Sequence, residues 1–163
     1  KSNGAAATRL KDEVTGAGST STINSEEGVL YVERATIELS TGNYISLSDG
    51  STSNRFYIYG STTQVRCGAN INGIPQGTAG GSANIYDFNK IALVYDSDSL
   101  RLYLNENATP IATLTLTDTQ PPNTLTELDL GTGGSNVKSW DKTKELRVYK
   151  SIAQAQIDLP YIT

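Results

Sequence analysis

The sequence contains no histidine, which excludes His-based triads, imidazole acid–base catalysis and histidine metal sites. Its one cysteine, Cys67, excludes an internal disulfide and any cysteine-based zinc site. Cys67 falls on the apolar parity of its segment, which predicts a buried, inert thiol. No apolar run approaches the roughly 20 residues of a membrane span, so no spanning helix is expected. Lysine and arginine together number 13 against 17 acidic residues, a formal net charge of −4. That balance argues against a nucleic-acid or anionic-membrane partner, because both require clustered cations to displace counterions. Methionine is absent and Lys1 leads the chain, so the expectation is a processed mature protein or a piece of a longer one. No residue pattern asks for a cofactor.

What remains is rich in Thr, Ser, Gly and Asn, and apolar residues make up 37% of the 163. That length is most simply one domain with a real core. A hydroxyl-rich, thiol-poor composition suits an extracellular or virion setting. Residues 1–24, "KSNGAAATRLKDEVTGAGSTSTIN", form a polar arm in which only Leu10, Val14 and Ile23 are bulky and apolar. So polar a segment is ordered only if held, by its own domain or by a neighbour; docking on a neighbouring subunit is the expectation.

Residues 25–163 read as strand after strand. "GVLYVERATIEL" is long and β-branched, and "NYISLS" alternates with Ile45 and Leu47 inward. "SDGSTSN" and Asp96–Ser99 are turns, and "GIPQGTAGGSAN" reads as a loop of small residues. Leu100, Leu102 and Leu104 point one way, with Arg101 and Tyr103 the other. In "IATLTLT", Thr113, Thr115 and Thr117 are outward. Ser151 and Gln154 fit the capping box of a short C-terminal helical turn, which Pro160 limits. The fold class is all-β: an antiparallel jelly-roll β-sandwich with an extended N-terminal arm and that helical turn.

"NRFYIYGSTTQVRCG" carries the main functional question. Phe56, Ile58, Val65 and Cys67 share the inward parity. Tyr44, Arg55, Tyr57, Tyr59, Gln64 and Arg66 are outward and make a surface of tyrosines and guanidiniums. Tyrosine and arginine suit an exposed pleat, a subunit contact or a sugar's C–H face, and the three readings stand side by side here.

Two later stretches carry a family resemblance. Phe88, Ile91, Ala92, Val94, Tyr95 and Asp96, then Leu102, Tyr103, Leu104 and Asn105, match a characteristic hairpin, and Leu146, Arg147, Val148 and Tyr149 match a final strand. The chain resembles the concanavalin A-like lectin/glucanase superfamily in its laminin-G-like form. "ATRLKDEVTGAGSTSTINSEEGVLYVE" with "YISLSDGSTSNR" also resembles versions found in phage tail and virion proteins. Glu106 stands where the family usually has glycine, which implies an altered turn after Asn105. The resemblance implies a jelly roll and leaves function open.

Because the family includes glycosidases, the carboxylates require a test. Glu127 and Asp129 match the first two acids of the family's Glu-x-Asp-x-x-Glu signature, but the third position is Gly131 or Thr132. Hydrolysis needs a pair of carboxyl groups across the scissile bond, and this strand lacks the partner. The expectation is no enzyme, with a degenerate glucanase as the weakest alternative. Some laminin-G-like domains hold calcium, for which Asp96 and Asp98 are weak candidates. Aspartates in a tight turn more often bond their own backbone, so no metal is expected. The sequon Asn107-Ala108-Thr109 is followed by Pro110, which disfavours its use. The main reading is a structural subunit of a virion fibre, tail or surface filament, touching other copies of itself or other fibre proteins. The alternative is a recognition module for cell-surface glycan.

Overall fold

The computed structural model describes residues 17–37, 43–131 and 141–163. Among these residues, ten strands and one helix run in the order β1 (Gly28–Thr36), β2 (Tyr44–Ser48), β3 (Arg55–Ser61), β4 (Gln64–Ile71), β5 (Ile74–Ser82), β6 (Asn89–Tyr95), β7 (Ser99–Leu104), β8 (Ala112–Thr115), β9 (Glu127–Asp129), β10 (Asp141–Tyr149) and α1 (Ile152–Asp158). They build an all-β sandwich of two five-stranded antiparallel sheets, β10-β1-β6-β7-β8 and β5-β4-β3-β2-β9. No described helix is long and apolar enough to cross a membrane.

The core lies between the sheets and follows the inward parity. Leu30 and Val32 of β1, Ile45 and Leu47 of β2, Phe56 and Ile58 of β3, Val65 and Cys67 of β4, and Ile91 and Leu93 of β6 all belong to it. Burial pushes the Cys67 thiol up to about 12, so the thiolate is not populated at neutral pH. Ser151 caps α1, its hydroxyl accepting from Gln154 N at 3.1 Å.

One feature departs from the sequence reading. "GIPQGTAGGSAN" is not a loop: most of it is edge strand β5, entered through a tight turn in which Asn72 (φ +51°) and Gly73 (φ +79°) are both left-handed. Asn-Gly is the pair such a hairpin turn selects, and the glycines that follow hide the strand from a search for apolar alternation. On the parity of β7 opposite the leucines, Arg101 is partly exposed. Tyr103 is buried with Val29, Tyr31, Ala92, Val94 and Tyr149 beneath α1 and the C-terminus. Its hydroxyl donates to Thr163 O at 2.9 Å.

Residues 1–16 lie outside the described residues, and with them most of the arm expected on a neighbouring subunit. Residues 17–24 run along their own sandwich: Leu128 N donates to Ala17 O, Ile23 enters the core, and Tyr95 Oη donates to Asn24 O at 2.8 Å.

Candidate functional site: the outer face of the second sheet

Register brings all six sequence-predicted residues onto one face. Tyr44 pairs with Tyr59, which pairs with Arg66; Ser46 pairs with Tyr57, which pairs with Gly68; and Arg55 lies between Ser48 and Asn70. Gln64 ends the same face opposite Ser61.

The tyrosines pack on one another. Tyr44 stacks on Tyr59 at 5.0 Å between centroids and meets Tyr57 edge-on at 5.5 Å. The Arg55 guanidinium lies 4.6 Å from the Tyr57 ring centroid, and that of Arg66 lies 6.0 Å from Tyr59. Cation–π contacts of this kind orient both the cation and the ring. Arg66 is further fixed by donation to Gln64 Oε1 at 2.9 Å and to Thr78 Oγ1 at 2.7 Å. Three rings therefore sit between two held guanidiniums, a preorganised surface for aromatic and polar contacts.

Tyr57 is the correction within this group. Although outward, it is only 7% exposed, because it lies flat on the sheet. The cause is Gly68, at which a Cβ would sit 2.5 Å from the Tyr57 hydroxyl. Gly80 plays the same part for Arg66, since a Cβ there would come within 2.5 Å of Arg66 Cγ. Burial raises the Tyr57 phenol above its ordinary value, while Arg55 opposes the shift; it stays neutral and able to donate. The exposed ring surface belongs mainly to Tyr44 and Tyr59.

Gly68, Gly80 and Thr78 are the residues that sequence reasoning missed. A glycine on the outward parity of a strand marks close approach of another group, and that signal was available at Gly68. Gly68→Ala is expected to lift Tyr57 off the sheet, lowering the thermal midpoint and changing tyrosine fluorescence. An unchanged midpoint and spectrum would show that the ring does not depend on that gap.

The carboxylates are distributed differently. Glu127 and Asp129 share this face at its edge, where β9 pairs with Ser48 and Ser46 of β2. The third signature position offers no acid at Gly131, whose carbonyl accepts from Ser46 Oγ at 3.1 Å; Thr132 lies outside the described residues. Asp96 is a turn former, its Oδ1 accepting from the backbone N–H groups of Asp98 and Ser99 and its Oδ2 from Arg101. Asp98 accepts from Ser97 Oγ at 3.1 Å. Asp49 is likewise tied to Ser51 and Asn54; burial pushes its carboxyl up, but these hydrogen bonds outweigh that and hold it below its usual value. Among the described residues no group of three acids or thiols could hold a metal ion.

Comparison with solved structures places this architecture. The CBM40 of the Ruminococcus gnavus IT-sialidase, bound to α2,3-sialyllactose, matches over 93% of this chain and 96% of its own, with a TM-score of 0.61 and 18% identity. Sheep galectin-11 in complex with glycerol matches over 85% of this chain and 94% of its own, at TM-score 0.51 and 9% identity. Both of these share with this chain the architecture of an antiparallel β-sandwich. The apo Crh5 transglycosylase also shares it, at TM-score 0.52 and 15% identity over 78% of this chain and 65% of its own. These identities establish fold alone. No family model and no curated protein matches the sequence.

Proposed function

We infer that this lectin-like sandwich is a non-enzymatic glycan-recognition module, working outside the cell or on a virion surface. The observation that carries the reading is the group of three packed tyrosines held between Arg55 and Arg66. Exposed faces of Tyr44 and Tyr59 suit the C–H side of a sugar ring, and a fixed guanidinium suits a carboxylate or paired hydroxyls. Arg66 is the better anchor for an acidic sugar, because Gln64 and Thr78 hold its fork in one plane. Support comes from a solved CBM40 of this fold that carries sialyllactose. The other expectation, a fibre or virion subunit docked through its arm, draws less support, since residues 17–24 lie on their own sandwich.

The test is calorimetric titration with α2,3-sialyllactose and with lactose. Binding of the sialylated sugar is expected, weakened roughly tenfold or more by Arg66→Ala and by Tyr59→Ala. No binding to a broad glycan array, or equal binding by both variants, would refute this assignment.

A further inference from the structure

A second cleft lies on the other sheet, where the segment after α1 crosses β10, β1 and β6. Its volume is about 310 Å³, at the small end for ligand sites. Tyr31 lines it from β1, with Glu145 and Arg147 from β10 and Lys90 from β6. Glu106, Asp158 and Tyr161 complete it.

The hydrogen bonding of this lining is lopsided. Both cations are already engaged: Lys90 pairs with Glu106, while Arg147 donates Nε to Glu145 at 2.8 Å and Nη1 to Asp158 at 3.3 Å. Every one of these bonds falls on a single oxygen of each acid, namely Glu106 Oε1, Glu145 Oε1 and Asp158 Oδ2. Tyr149 Oη also donates to that same Asp158 oxygen. The second oxygens of all three carboxylates accept nothing from the described residues. The Tyr161 hydroxyl is buried and has no hydrogen-bond partner there. Burial raises its pKa, so it remains a phenol.

An anion would meet cations already neutralised. A metal ion would need the carboxylates to converge, and among the described residues they do not. Dispersed acceptors, each beside a cation that can also donate, suit hydroxyl groups, which donate and accept at once.

Glu106 adds an independent sign. It follows Asn105 (φ +52°) in a tight turn and is itself left-handed at φ +64°. The turn is closed by Asn107 N donating to Leu104 O at 3.1 Å. Glycine would hold that conformation without strain, so the strained glutamate places a carboxylate on the cleft at the expense of stability.

We propose that this cleft is a second saccharide site, taking an uncharged sugar whose hydroxyls donate to the open oxygens of Glu106, Glu145 and Asp158 and bond the Tyr161 phenol. It is separate from the Tyr/Arg face in position and in chemistry: that face presents held guanidiniums, this cleft presents acceptors.

Two-dimensional amide NMR on the full chain, titrated separately with lactose, maltose and cellobiose, tests the proposal. At least one sugar is expected to shift the amides of Lys90, Glu106, Arg147 and Tyr161 in a saturable way. Glu106→Gly should raise the thermal midpoint while weakening that binding at least tenfold. Tyr161→Phe should weaken it without loss of stability. The proposal fails if none of the three sugars moves these amides, or if shifts are confined to the Tyr/Arg face. It fails equally if both variants bind as the parent does, or if only a polyamine such as spermidine moves the cleft. Sialyllactose binding at the other face can be gained or lost without bearing on this outcome.

Discussion

Asp141→Ala is expected to destabilise the protein by about 3–5 kcal/mol, the range for breaking a buried ion pair from one side. Arg34 Nη1 donates to Asp141 Oδ2 at 2.7 Å, and both side chains are 3% exposed. Two further Arg34 bonds, each 3.3 Å, run to the Asn43 carbonyl. Arg34 also borders a pinhole cavity of about 10 Å³ with Val65, Ile85 and Ile91, so its guanidinium lies between the sheets rather than in water. Burial lowers the Arg34 pKa and Asp141 opposes that shift; removing the carboxylate leaves a cation without its counter-charge in a poorly polarisable site. The paired replacement Arg34→Met with Asp141→Leu should recover most of the loss, since the penalty comes from the orphaned charge. Urea denaturation of the parent and of these two variants checks this. A cost for Asp141→Ala below about 1 kcal/mol would place the pair among solvated ion pairs.

The second large effect separates the two sides of β3. Phe56 is 1% exposed and packs on Tyr95 at 4.9 Å between ring centroids. Phe56→Ala should cost about 3–5 kcal/mol through lost burial and the cavity left behind. Its neighbour Tyr57 points the other way but is also buried, so Tyr57→Ala should cost about 1–3 kcal/mol, less because its site opens to solvent. That substitution should also weaken sialyllactose binding, because Tyr44, Tyr59 and Arg55 lose the ring on which they rest. Glycan affinity unchanged in Tyr57→Ala, with the protein folded, would detach the tyrosine group from recognition.

Alternation made the sandwich legible. Leu30/Val32, Ile45/Leu47, Phe56/Ile58 and Leu100/Leu102 each declare an inward face, and the serine and aspartate turns between them leave few alternatives. The Tyr/Arg set was legible for the same reason, since parity alone puts Tyr57, Tyr59 and Arg66 on one side. What parity does not carry is depth. Tyr57 is buried by the absence of a side chain at Gly68, its cross-strand partner on β4, and the glycine alone does not say which ring fills the gap. Strand β5 was hidden because its register is set by the Asn72-Gly73 turn and by close packing, not by apolar residues. The burial of Tyr31 and Tyr103 depends on where α1 and the C-terminus come to lie, a long-range contact that no short window contains. Arg34 was similarly silent: a β-bulge between Glu33 and Arg34 shifts the register of β1 against β10, and local alternation does not announce it.

The glycan assignment rests on where a ligand sits. Amide NMR of the uniformly labelled chain, titrated with α2,3-sialyllactose, reads this directly. Shifts should centre on Tyr44, Arg55, Tyr59, Arg66 and Thr78, saturate with a single affinity, and disappear in Arg66→Ala while the spectrum stays that of a folded sandwich. Shifts absent from β3 and β4, or fully retained in Arg66→Ala, would mean that this face is not where the protein meets a glycan.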